Sequence, residues 1–278
     1  MKPVEQKSAF CPICGENSLF TSHLPIDFPC KRNSFLCDKC ESCARNRHLS
    51  LAILDNFPVE HSRVQSLAKW AQLWQGAVFL TCTSGAIHDA LRHAPGCVSS
   101  EYIDGIPSGG MKDGVLCQDI QRTSFDDETF DLIVTEDVLE HVPNPKQAFA
   151  EIRRILKPGG FHIATIPVNW GRSASAIRAI MVDGTPHHIL EPEYHGDPTR
   201  PEGILAFTDY GTDLIDEYLS ITGPSKMLAA HGDVEMEDRY AIYNSWVFVS
   251  QRPTQKPAGL GWASRVQSII SNNIYKRS

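Results

Sequence analysis

The stretch Phe130-Asp131-Leu132-Ile133-Val134, with the helical pattern after it, constrains the fold more than any other part of the chain. A near-continuous apolar run of this length suits a strand buried on both faces, as in a parallel sheet. Over 145–156 the apolar residues Ala148, Phe149, Ile152, Ile155 and Leu156 share one face of a helix. Lys157-Pro158-Gly159-Gly160 reads as its stop, because proline cannot continue a helix and glycine accepts a left-handed cap. Residues 161–167 then return to a strand pattern. Strand, helix and strand in this order make a parallel crossover.

The same alternation spreads outward. Strands are expected at 78–81, 98–103 and 115–117, with a short helix at 86–92. Downstream, 209–219 reads as helical and 246–249 as a late strand. The pattern predicts an α/β domain over 77–252 with a doubly wound, mostly parallel sheet. In such sheets ligands sit beyond the carboxyl ends of the strands. Residues 169–207 are irregular and rich in His, Pro, Glu and Gly, as befits a loop covering a substrate. Within it, His187, His188 and His195 stand near Glu191, Glu193 and Asp197, which offers a second set of metal donors. A helical connector is expected over 51–76, carrying Leu51, Ile53, Leu54, Leu67, Trp70 and Leu73. The tail, 253–278, reads as a linker and a short amphipathic helix with Trp262, Val266, Ile269 and Ile270.

Residues 1–50 are different in kind. Six of the nine cysteines fall in the first 43 residues: Cys11, Cys14, Cys30, Cys37, Cys40 and Cys43. Cys11-Pro12-Ile13-Cys14 and Cys37-Asp38-Lys39-Cys40 are CxxC knuckles, each able to turn two thiolates toward one ion. Two knuckles make a tetrahedral thiolate site, which suits Zn2+. Cys11, Cys14, Cys37 and Cys40 are the expected ligands, with Cys30 and Cys43 as competitors. Iron–sulfur ligation and unligated thiols are the alternatives. Cys82, Cys97 and Cys117 read as small buried hydrophobes.

Net charge is −7, which disfavours a nucleic-acid partner, although Lys31, Arg32, Lys39, Arg45 and Arg47 form a basic patch beside the knuckles. Arg45 and Arg47 either bind an anionic substrate or pair with nearby carboxylates. No run approaches the roughly 18 apolar residues of a membrane span, and the N-terminus has no apolar signal core. A cytoplasmic location is expected.

The run Phe130 through Glu140-His141-Val142, followed by Ile155-Leu156-Lys157-Pro158-Gly159-Gly160, resembles the class I, type 11-like S-adenosylmethionine-dependent methyltransferases. Their fourth strand reads FDxIxxxxVLEH and their next helix ends LKPGG. The resemblance implies a Rossmann-like sheet, S-adenosylmethionine as cofactor, and methyl transfer to a small molecule or glycan. It implies that Asp119 accepts from the adenine amine, that Ile120 packs on the ring, and that Glu101 grips the ribose hydroxyls. Asp104 is an alternative to Glu101. Thr135, with Cys82, Ser84 and Gly85 of the first turn, completes the expected cofactor contacts. His141 and Glu136 are the expected catalytic side chains. The first turn departs from the family's GxGxG, since only Gly85 is glycine and Leu80 stands where an acid is usual. That departure favours the rival reading of an inactive, methyltransferase-like binding protein. An RNA or protein methyltransferase using the cysteine module as substrate reader is the other rival.

Overall fold

The computed structural model describes residues 5–24, 30–59, 64–196 and 200–254. The expected tail helix and Asp197 lie outside these residues. Among the described residues no helix is long and apolar enough to cross a membrane.

The cysteine module is more ordered than a loop-rich segment. β1 (Glu5–Phe10) and β2 (Asn17–Ser22) form an antiparallel pair, and β3 (Leu36–Cys37) adds to β2. α1 (Ala44–Asn56) follows at once and runs across residue 50 into the connector. α2 (Leu67–Leu73) is capped by the Ser66 side chain, which accepts from Lys69 N.

The main sheet is then built in chain order. β4 (Ala77–Leu80) leads to α3 (Ala86–Leu91) and β5 (Gly96–Ser99). A small hairpin of β6 (Met111–Lys112) and β7 (Val115–Leu116) precedes β8 (Phe130–Glu136). α4 (Pro145–Ile155) and β9 (Leu156–Thr165) complete the crossover. Three two-stranded ladders fill the next segment: β10 (Ala176–Ile177) with β15 (Thr208–Asp209), β11 (Ala179–Val182) with β12 (Thr185–His188), and β13 (Tyr194–His195) with β14 (Ile204–Leu205). A π-helical turn, Ile215–Leu219, runs into α5 (Ser220–Thr222), then β16 (Ser225–Ala230), α6 (Val234–Tyr240) and β17 (Ser245–Gln251). Strand order is β16-β17-β9-β8-β4-β5. β5, β4, β8 and β9 are parallel; β17 runs antiparallel to both β9 and β16. The sheet is therefore mixed, with a parallel half that carries the crossovers, and it fits a Rossmann-like class I fold.

Side chains alternate along β8 and divide the core. Leu132 and Val134 join Val78, Leu80, Leu49, Ile53 and Trp70 on one face. Ile133 joins Phe79, Phe149, Ile152 and Leu219 on the other. The first cluster also takes in Phe20 and Phe35, so the cysteine module shares one core with the sheet.

Three expectations are corrected. The third strand, expected at 115–117, does not join the six-stranded sheet; β7 pairs with β6 instead. Asp113 (φ 51°) and Gly114 (φ 81°) form a two-residue turn with positive φ at both positions, which favours a local hairpin. Only an isolated parallel bridge, Glu101 to Cys117, continues the sheet past β5. The helix expected over 209–219 begins only at Ile215, because Thr208–Asp209 is strand β15. Finally, Lys157-Pro158-Gly159-Gly160 is not a helix cap but part of β9, with a register shift opposite Phe130 and Leu132. Lys157 Nζ lies 2.7 Å from Asp131 Oδ2, which also accepts from Ala77 N at 2.7 Å. At Gly160 a Cβ would come 3.0 Å from the Asp131 carbonyl and 2.9 Å from that of Lys157. The motif thus fastens three strand ends together.

Candidate functional site

The carboxyl ends of β4, β5, β8 and β9 meet the cysteine module and the segment of short ladders. After β4, Thr83 donates from N and Oγ1 to Glu101 Oε1, at 2.8 and 2.9 Å. The first turn is thereby tied to the end of the second strand. Gly85 has φ 94°, and the place a Cβ would occupy is open. Ser84 beside it is exposed. Burial pushes the Cys82 thiol up, and the carboxylates of Glu136 and Glu101 add to the effect. Cys82 follows β4, which lies between β8 and β5 in the sheet.

Asp119 stands two residues past Cys117, the bridge partner of Glu101. Its Oδ1 accepts from Gln121 N at 2.9 Å and Gln121 Nε2 at 3.0 Å. Ile120 is 6 % exposed and belongs to the cluster around Phe79 and Phe130. Asp104 is largely exposed, 3.8 Å from Arg200. Thr135 is not brought to the crevice. It is fully buried, its Oγ1 2.9 Å from His162 Nε2, because strand alternation turns it away from Glu136.

The tip of β8 is held by the cysteine module. Arg32 makes a two-pronged contact with Asp137, at 3.1 and 2.9 Å. Arg45 Nη1 lies 3.1 Å from Asp137 Oδ2 and 3.3 Å from Thr165 Oγ1. Asn46 donates to Glu136 Oε2. Burial pushes both carboxyls up. At Glu136 the rise prevails, whereas at Asp137 the two guanidiniums outweigh it and hold the carboxyl at about 2. Arg45 thus pairs with carboxylates. Arg47 does neither of the two things expected of it: it is fully buried and donates to the carbonyls of Ser42, Tyr240 and Ala241. Sequence alone does not single out Arg32, Asn46 and Asp137 as site residues. It shows the basic patch and the acidic pair, but not their meeting.

Beyond β8 the chain makes a 3-10 turn, Leu139–His141. His141 Nδ1 lies 2.9 Å from the Leu205 carbonyl, so Nδ1 carries the proton. Its Nε2 is 3.6 Å from Glu140 Oε1. His195, from β13, puts Nδ1 3.7 Å from the same oxygen, and its ring lies 4.9 Å from that of His141. His187 and His188 do not join them; both are exposed on β12. A cavity of about 580 Å³ opens here. Cys30, Arg32, Asn33, Glu140, His195 and Trp246 are among the residues that line it.

Within the module, Cys11, Cys14, Cys37 and Cys40 bring one sulfur each within 4.8 Å of all the others. Cys11 and Cys40 sulfurs are 3.7 Å apart. A tetrahedron with metal–sulfur arms of about 2.3 Å has edges of about 3.8 Å, so the donor set fits one ion. Cys43 is elsewhere, capping α1 and bonding Asn46 Oδ1 at 2.9 Å, and Cys30 faces the cavity.

Residues 96–164, from β5 to β9, match the family model described as "Methyltransferase domain". Over that stretch the chain is similar to a methyltransferase domain. The ubiquinone biosynthesis O-methyltransferase of Photobacterium profundum is 28 % identical over 118 residues, covering 41 % of this chain and 48 % of that protein. The Coxiella burnetii protein of the same name is 41 % identical over 44 residues, 16 % of this chain and 19 % of its own length. The chain thus spans at most about half the length of these curated relatives. A solved S-adenosylmethionine-dependent methyltransferase from Methanosarcina mazei is 14 % identical, covers 65 % of this chain and 94 % of its own, and superposes with a TM-score of 0.37.

Proposed function

We propose that this protein is a class I S-adenosylmethionine-dependent methyltransferase that methylates an oxygen of a small molecule or glycan, with a structural Zn2+ in its cysteine module. The observation that carries the reading is the matched segment itself. It contains Glu101, Asp119 and the Glu136–His141 run, each of which lies at or just after a strand or bridge of the parallel half, and in such sheets ligands bind beyond those strand ends. The names of the ubiquinone O-methyltransferases support an oxygen acceptor.

Glu101 holds the ribose hydroxyls and is itself oriented by Thr83. Asp119 takes the adenine amine, and the open turn at Gly85 lets backbone approach the methionine end. S-adenosylmethionine supplies a methyl group on a sulfonium; a C–O bond forms as the C–S bond breaks, and the acceptor releases a proton. Alignment and exclusion of water are then the main tasks of the protein. Glu136 is held by Arg45 and Asn46, which suits a wall better than a base. The acceptor side is the cavity lined by Glu140 and His195, with His141 beside them. Arg45 and Arg47 turn inward, which argues against the module as a nucleic-acid reader.

Calorimetric titration with S-adenosylmethionine tests the reading. Glu101→Ala should weaken binding more than about tenfold, as expected for charge-assisted hydrogen bonds. No binding by the wild type, or an unchanged affinity in the variant, removes the proposed cofactor site. Labelled cofactor incubated with a cell extract then identifies the acceptor.

A further inference from the structure

We infer that Glu140, His141 and His195 form a site for a divalent first-row transition-metal ion, separate from the four-cysteine cluster, which binds an oxygen donor of the molecule in the cavity.

Glu140 drives the inference. Its side chain is 2 % exposed, and neither carboxylate oxygen has a hydrogen-bond partner among the described residues. Buried carboxylates are ordinarily paired, hydrogen-bonded or bound to metal, because an isolated buried charge is costly. Two imidazoles face it, at 3.6 and 3.7 Å, both beyond hydrogen-bond length.

Those imidazoles are oriented as ligands. His141 is held at Nδ1 by the Leu205 carbonyl, which leaves Nε2 turned to Glu140. His195 is held at Nε2 by Glu193 Oε1 at 3.3 Å, which leaves Nδ1 turned to Glu140. Each ring therefore has its far nitrogen fixed by an oxygen and its near nitrogen aimed at the shared carboxylate. That is the arrangement of metal-bound histidines, whose second nitrogen is anchored by a carbonyl or carboxylate. The three donor atoms lie within 4.8 Å of one another. A tetrahedral site with arms of about 2.1 Å has edges of about 3.4 Å, so a small closure completes it.

Two imidazoles and one carboxylate leave coordination positions open, as at catalytic rather than structural sites. Glu140 and His195 line the cavity, so the open positions belong to its occupant. A bound cation would lower the pKa of an acceptor hydroxyl, which bears on the methyl-transfer reading. The metal site itself stands without that reading.

The test uses Mn2+ as the probe, without S-adenosylmethionine, on full-length protein carrying no more than one equivalent of Zn2+, which the four thiolates take first. Mn2+ prefers carboxylate and water oxygens to thiolate, so it reports this site and not the cysteines. Paramagnetic resonance of free Mn2+ should show one saturable site per chain. His195→Ala and Glu140→Gln should each weaken it at least tenfold, and Glu193→Gln by about 10–100-fold. Should Glu140→Gln fail to fold, the partly exposed His195 carries the test. Absence of saturable Mn2+ binding, or equal affinity in His195→Ala, overturns the inference. It would leave a simple histidine–glutamate ion pair, and S-adenosylmethionine binding measured separately would be unaffected.

Discussion

Arg45, in the first turn of α1, lies 3.1 Å from Asp137 at the end of β8, and so joins the cysteine module to the strand tips of the domain. Both side chains are about four-fifths buried. Removing Arg45 leaves Asp137 to Arg32 alone, which makes the loss smaller than that of a fully broken buried pair. Arg45→Ala should cost on the order of 2 kcal/mol in urea unfolding. Arg45→Lys should recover little, because a single ammonium cannot serve Asn33, Thr165 and Asp137 at once. Full recovery by lysine would reduce the contact to a simple charge effect.

The cysteine cluster gives a second expectation. Cys11→Ser should release the thiolate-bound metal and make Cys14, Cys37 and Cys40 react with an alkylating agent without a chelator. In the wild type the same thiols should react only after chelation. Equal reactivity in both proteins would mean that these four sulfurs hold no ion. Counting alkylated thiols keeps this result independent of any metal at Glu140.

Acid should weaken the fold through His48 and His162. Burial depresses both imidazoles, His48 to about 4 and His162 to about 3, while an unfolded histidine titrates near 6.5. Between those limits the unfolded chain binds more protons than the folded one. The contribution is therefore complete above pH 6.5 and is lost as pH falls through the folded values. At His48 it is on the order of 3 kcal/mol at neutral pH. His48→Gln, which can still bond Ser245, should flatten the decline between pH 6.5 and 4 in denaturant melts. An identical decline in wild type and variant would assign the acid sensitivity elsewhere.

The crossover β8-α4-β9 is legible in the sequence because its signals are local. The apolar run, the helical face and the strand after Gly160 each occupy a few adjacent residues. Even there, reading Lys157-Pro158-Gly159-Gly160 as a cap misses the strand pairing, since it depends on Asp131 and Ala77 across the sheet. The third strand fails as an expectation for a local reason, the Asp113-Gly114 turn, which the sequence does display. Thr135 is expected at the crevice because it follows the motif strand; parity places it on the α4 side with His162. The grouping of Glu140 and His141 with His195 cannot be read from sequence at all. The Leu139-Glu140-His141 run is visible, but its partner arrives from a ladder whose position depends on how the covering segment folds back. Phe207 N donates to the Glu140 carbonyl, and Tyr210 Oη to that of Leu139, fixing that return.

α1 begins with side chains that grip the tip of β8 and ends among the apolar residues beneath the sheet, while Arg47 in its first turns is bonded to the chain just before β17. One rod is thus common property of the thiol cluster and the crevice. Loosening the thiols would tilt the lever on which Glu136 and Asp137 rest, so the amino-terminal fifth of the chain is scaffolding for the pocket rather than a detachable ornament.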